Sequence, residues 1–125
     1  MIALDASALL AFLFREPGHE QVVTVLNGCC MSTVNLSEVV GRFVRDGHNG
    51  QVVWARLQAT PIEFVTFTSE QASVAAQLLP HTQPLGLSLG DRACLALALE
   101  RNIPAMTADR AWAQLEIGAI VQVIR

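Results

Sequence analysis

Ile2-Ala-Leu-Asp5-Ala-Ser7-Ala-Leu-Leu-Ala-Phe-Leu-Phe14 is the stretch on which the fold turns. Ile2 to Asp5 reads as a short apolar strand ending in an acid. Ser7 to Phe14 reads as a buried helix, stopped near Pro17-Gly18. The same alternation continues along the chain. His19 to Leu26 reads as a helix closed by Asn27-Gly28, and Cys29 to Ser32 as a strand. Leu36 to Arg45 repeats apolar residues at helical period, Gln51 to Ala59 is a further helix, and Ile62 to Phe67 is a β-branched and aromatic strand. Thr68 or Ser69 caps a helix running through Leu79, and Pro80 and Pro84 bracket a loop. Leu89 to Glu100 is apolar nearly all round, hence a buried helix. Pro104 to Thr107 and Ile120 to Ile124 are strands on either side of a short helix at Arg110 to Leu115. Short apolar strands alternating with helices predict an α/β fold, a three-layer α/β/α sandwich around a central, mainly parallel sheet of about five strands.

The totals agree with one domain spanning residues 1–125. Of these residues 52% are hydrophobic and only 15% charged, so the core is generous and disorder is not expected. No apolar run reaches the ~20 residues of a membrane span. Met1 leads straight into the first strand, with no basic segment or cleavage site, which predicts a cytoplasmic protein. Cys29, Cys30 and Cys94 lie in apolar segments without any zinc spacing and read as small buried hydrophobes. His19, His48 and His81 are scattered through polar stretches and read as surface residues. All eight basic residues are arginine, which removes the P-loop lysine and Schiff-base chemistry. A net charge of −3 gives no global attraction to nucleic acid, so such a contact needs a local patch or a bound metal ion.

Against so few charges, Asp5, Glu38, Asp91 and Asp109 stand out, each where a strand ends or a helix begins. Taken singly, each has an ordinary explanation. Asp5 caps the helix at Ser7, Asn35 and Glu38 form a capping box, Ser88 and Asp91 fit the same pattern loosely, and Asp109 caps the helix at Arg110. Taken together, they suggest a site. Ligands of open parallel sheets bind outside the carboxyl ends of the strands, where Asp5, Glu38 and Asp109 should converge. Topology alone does not place Asp91. Two carboxylates 4 Å apart repel by roughly 4 kcal/mol at an effective dielectric of about 20, so such a cluster takes up protons or binds a cation. With oxygen donors alone, that cation would be Mg²⁺ or Mn²⁺ rather than Zn²⁺.

Four motifs carry a resemblance across essentially the whole chain. Asp5-Ala-Ser7 resembles the first motif of PIN-domain ribonucleases and Asn35-Leu-Ser-Glu38 the second. Leu87-Ser-Leu-Gly-Asp91-Arg-Ala-Cys-Leu-Ala-Leu-Ala98 closely resembles the third, and Thr107-Ala-Asp109 looks like the fourth. Order, spacing and length are similar to those of single-domain VapC-type toxins. The resemblance implies a divalent-metal-dependent endoribonuclease, usually a homodimer, held inactive by a small antitoxin. It places Asp91 beside Asp5, and implies a four-carboxylate pocket in which Asp5 and Asp91 are direct Mg²⁺ or Mn²⁺ ligands. Ser7, Asn35 and Thr107 would support that pocket by hydrogen bonding, against ordinary capping and turn roles.

Other residues keep two readings each. Arg92 and Arg110 follow site acids and would contact phosphate, or are solvated arginines beside caps. Trp54 and Trp112 would stack bases, or belong to the core or an interface. Apolar residues between Leu36 and Ala59 would form a dimer or antitoxin surface, or face their own core. Two rivals remain for the whole chain: a housekeeping RNA-processing PIN nuclease, and a non-catalytic α/β binding module in which the acids are only caps. A dehalogenase-type phosphotransferase needs an acid where this chain has Ser7, and its usual lysine is absent.

Overall fold

A computed structural model describes residues 1–125. Five strands, β1 (Ile2–Leu4), β2 (Cys29–Ser32), β3 (Glu63–Val65), β4 (Ala105–Thr107) and β5 (Val121–Val123), form one parallel sheet in the order β3-β2-β1-β4-β5. The chain winds outward from β1 in both directions, so the switch point lies between β1 and β4. Seven helices cover the sheet: α1 (Ala6–Leu13), α2 (His19–Val23), α3 (Thr33–Arg45), α4 (Gly50–Gln58), α5 (Ser69–Gln77), α6 (Leu79–Thr82) and α7 (Leu89–Arg101). The expected three-layer architecture is therefore present, and every strand is parallel.

The two faces of the sheet differ in side-chain size, and that difference places the site. Ile2, Leu4, Cys29, Met31 and Met106 pack with Leu9 of α1, Val22 of α2, Val39 of α3 and Leu57 of α4. On the opposite face Ala3 lies level with both Cys30 and Ala105, a row of small side chains across the three central strands. That row lets α7 lie close against the sheet. Every residue from Ala93 to Ala98 is buried, and Cys94 Sγ reaches Ala3 O at 3.9 Å. This explains a helix that is apolar nearly all round: it is walled by the sheet, by α5 and by Trp112, which is also fully buried.

Several boundaries differ from expectation. Helix α3 starts at Thr33 rather than Leu36, and its cap is Ser32, whose Oγ accepts from Val34 N at 3.2 Å. Asn35 is therefore inside the helix, and the Asn35–Glu38 capping box does not form. Ser32→Ala is expected to cost about 1 kcal/mol in urea unfolding, the usual worth of such a cap. The helix from His19 ends at Val23, and Leu26–Gly28 and Arg110–Gln114 are 3₁₀ turns. The Pro80–Pro84 segment is not a loop but α6 followed by a 3₁₀ turn. Each proline sits in a first turn, where its missing N–H costs nothing.

Candidate functional site

Asp5 leaves β1 at the switch point and is 3% exposed. It caps α1 through Ala8 N, which donates to Oδ1 at 2.9 Å. The Ser7 hydroxyl also donates to Oδ1, at 2.7 Å, and the Thr107 hydroxyl donates to Oδ2 at 2.9 Å. Both hydroxyls are oriented from behind by backbone. Ala108 N donates to Ser7 Oγ at 2.9 Å, and Asp109 N to Thr107 Oγ1 at 3.0 Å. Each hydroxyl has one proton, and both point at Asp5; the 3.3 Å separation of Ser7 Oγ and Thr107 Oγ1 is then a contact between acceptors. The turn after β4 is thereby locked onto the carboxylate that ends β1.

Asp91 reaches the same edge from the first turn of α7. It forms a full capping box with Ser88. Asp91 N donates to Ser88 Oγ at 3.2 Å, and Ser88 N donates to Asp91 Oδ2 at 2.7 Å. The Ser88 hydroxyl also lies 3.1 Å from Oδ2, which leaves Oδ1 without a hydrogen-bond partner. Glu38 comes from the second turn of α3 on the solvent side, with its carboxyl tucked against Gly90. Asn35, fully buried one turn earlier, donates from Nδ2 to Gly90 O at 2.9 Å and ties α3 to α7. Asp109 is exposed and caps the last 3₁₀ turn, its Oδ1 accepting from Ala111 N at 2.9 Å.

The charge of Asp91 acts on Asp5 and Glu38, and that of Asp109 acts on Asp91. Burial pushes Asp5 up to about 6, against the pull of Ser7, Ala8 N and Thr107, and the charge of Asp91 adds to the rise. Glu38 is raised by desolvation and by Asp91, with Asn35 opposing. Asp91 is raised by desolvation and by Asp109, with Ser88 and Arg92 opposing. Beneath them, the Cys94 thiol is held protonated by burial and by the charges of Asp5, Cys30, Asp91 and Glu38. None of the four acids has a salt-bridge partner. Arg42, Arg101 and Arg125 are engaged by Asp46, Glu63 and Glu16 instead.

The two arginines beside the acids turn elsewhere. Arg92 Nη1 donates to Ala75 O at 3.1 Å, bracing α7 on α5, and Arg110 Nε donates to Arg125 O at 3.1 Å. Trp112 belongs to the core, while Trp54 is 52% exposed on α4. No three His, Cys, Asp or Glu side chains come together closely enough to hold a metal ion between them.

One prediction isolates the hydroxyl support. Thr107→Val keeps the shape of the side chain but removes the donor to Asp5 Oδ2 and the acceptor for Asp109 N. The Asp5 carboxyl should then titrate above about 6, which side-chain carbonyl NMR would follow. Any metal-dependent activity should fall by about ten- to a hundredfold.

Open parallel α/β sheets form a class whose ligands bind outside the carboxyl ends of the strands at the switch point, which is where Asp5 lies. Comparison narrows the class. The family model described as PIN domain matches residues 2–118, and the chain belongs to that family. No curated protein matches the sequence. Solved structures do: VapBC2 from Rickettsia felis, bound to a DNA fragment from its promoter, is 14% identical with a TM-score of 0.75, over 100% of both chains. VapC20 of Mycobacterium tuberculosis, described as a toxin that cleaves the sarcin-ricin loop, is 18% identical with a TM-score of 0.73, over 96% of this chain and 99% of that one. A toxin–antitoxin complex from Klebsiella pneumoniae is 16% identical with a TM-score of 0.71, over 96% and 99%. The resemblance to VapC-type PIN proteins read from the four motifs is thus met in the fold as well.

Proposed function

We propose that this protein is a divalent-metal-dependent endoribonuclease and the toxin of a toxin–antitoxin pair. The observation that carries the reading is a set of carboxylates that act on one another and form no salt bridge, one of them buried and held by three donors. Asp5 and Asp91 would hold the ion, with Glu38 and Asp109 completing the pocket. The donor set fits Mg²⁺ or Mn²⁺. It is all hard oxygen and Asp91 Oδ1 is free, which suits an ion that keeps several waters and takes only one or two carboxylates. When bound, such an ion supplies charge stabilisation at a phosphate and a more acidic water. The chain's own part is to keep Asp5 ionised and aimed. Ser7, Thr107 and Ala8 N do so by donating to it.

Further support comes from the VapC-type structures among the fold neighbours. Exposed Leu13, Phe14, Val44, Val52 and Trp54 on and beside α1, α3 and α4 offer apolar surface for protein partners, a small antitoxin and a second copy. Arg92 and Arg110, both engaged with backbone carbonyls, would steady the site's edges, and substrate phosphate would reach them only by displacing those contacts.

The test is RNA cleavage by partner-free protein in Mg²⁺ or Mn²⁺ against EDTA, beside growth on expression. Metal-dependent cutting, with growth arrest relieved by the neighbouring gene, is expected. Cutting without arrest would indicate an RNA-processing enzyme. Absence of both cutting and divalent-ion binding would leave a binding module whose acids are caps.

A further inference from the structure

Glycine in the first turn of a helix gives up helix propensity and needs a reason. Gly90 is the second residue of α7, immediately before Asp91. Its φ is not left-handed, so backbone conformation does not require glycine there. The reason is space. A Cβ on Gly90 would lie 2.5 Å from Glu38 Cδ and 2.9 Å from Oε2, and nearer still to Oε1. The volume a side chain would fill is taken by the Glu38 carboxylate.

Two residues of α3, three apart and so on one helical face, address this one glycine. Asn35 Nδ2 takes its carbonyl at 2.9 Å, and Glu38 covers its Cα. Asn35 is 1% exposed, and its bond spans 55 residues of sequence to join the two helices. The contact therefore fixes how far α3 stands from the first turn of α7. With that spacing set, the missing Cβ decides whether the Glu38 carboxylate can sit beside Asp91.

We propose that Gly90 is a positioning residue of the metal site: its bare Cα admits the Glu38 carboxylate next to Asp91, and any side chain there expels it. The inference rests on the nuclease reading above. Gly90 touches neither metal nor RNA; it acts through Glu38. The obstructing atoms are the far end of a flexible side chain, so substitution displaces the carboxylate rather than the backbone.

The test is a double-mutant cycle on the full chain: wild type, Gly90→Ala, Glu38→Ala and the pair, each read by Mn²⁺ titration with EPR of the free ion, by metal-dependent RNA cleavage and by thermal unfolding. Gly90→Ala should weaken Mn²⁺ binding by about tenfold or more, the scale of outer-shell changes. Glu38→Ala should do the same, and the pair should be no worse than Glu38→Ala alone, because the two act as a unit. If Gly90→Ala unfolds while the pair folds, the shared space is shown equally well. Wild-type Mn²⁺ affinity in Gly90→Ala would overturn the inference. So would losses that add in full, or unfolding of both Gly90→Ala and the pair. A wild type that neither binds Mn²⁺ nor cuts RNA removes the nuclease reading itself, a failure distinct from that of Gly90.

Discussion

Asp5→Asn and Asp91→Asn are each expected to lower metal-dependent RNA cleavage by about a thousandfold or more, on the order of 4 kcal/mol of transition-state stabilisation, while the protein stays folded. The structure explains why the fold should survive. In Asp5→Asn the amide oxygen can still accept from Ser7 and Ala8 N, which lie 2.7 and 2.9 Å from Asp5 Oδ1. The new NH₂ would face Thr107 Oγ1, a hydroxyl that can turn to accept from it and donate its own hydrogen bond to Ser7 Oγ, 3.3 Å away. In Asp91→Asn the capping box keeps its acceptor for Ser88 N through the amide oxygen. What both variants lose is negative charge at the centre of the cluster. Circular dichroism should therefore match wild type while cleavage and Mn²⁺ binding collapse. Full activity in either variant would remove that carboxylate from the mechanism.

The sheet was legible in sequence because its strands are short, apolar and bounded by sharp polar changes: Leu4 to Asp5, Thr107 to Asp109, Gly28 to Cys29. Asp5 and Asp109 could be placed at one edge by strand direction alone. Asp91 could not, since its helix follows other helices. Its position depends on α7 settling into the Ala3–Cys30–Ala105 row, which is a property of strand register. The start of α3 lies three residues before the position that periodicity indicates, for a local reason. Ser32 and Asn35 are both good caps, and periodicity cannot distinguish a helix beginning three residues earlier when Ser32 also ends β2. The consequence reaches the site. Moving the cap to Ser32 frees Asn35 from the helix terminus and turns it into the clamp on Gly90. Arg92 illustrates a related limit. Adjacency to Asp91 suggests a site role, yet its guanidinium is drawn to Ala75 O by the packing of α5 on α7. Gly90 was visible as a helical glycine before an acid, but its partner lies on another helix, and only the fold shows what fills its space.

Caps and site acids are the same residues here, and that bears on the rival reading as a binding module. Asp5 and Asp109 accept from N–H groups of the turns they cap, Asp91 accepts from the N–H of Ser88 that caps α7, and the partial positive charge of those termini offsets part of their repulsion. Capping accounts for one acid at each helix start. It does not account for Asp5 being buried deeply enough to titrate at about 6, since a surface cap would serve the helix as well at lower cost.

That cost should be measurable as an inverted pH dependence of stability in metal-free protein. An unfolded aspartate titrates at its ordinary 3.8, and folded Asp5 at about 6. Between those values the folded state binds more protons than the unfolded state, so stability falls as pH rises through the window. The difference corresponds to roughly 3 kcal/mol once pH exceeds about 6. Raised values at Asp91 and Glu38 carry the same sign. Glu63 runs the other way: Arg101 holds its carboxyl below the ordinary value, so its small, exposed contribution is lost only as pH drops. In EDTA the protein should therefore be more stable near about pH 4 than at pH 7.5, whereas maximal stability usually lies between about pH 5 and 8. Urea unfolding at both pH values measures it. Asp5→Asn should abolish most of the decline and unfold at higher urea than wild type at pH 7.5. Adding Mg²⁺ or Mn²⁺ should restore wild-type stability at pH 7.5 and leave Asp5→Asn unmoved, because a cation that binds only the ionised, folded cluster stabilises by mass action. A flat profile in EDTA would mean that Asp5 is solvated in the free protein and that its burial is not what drives ion binding.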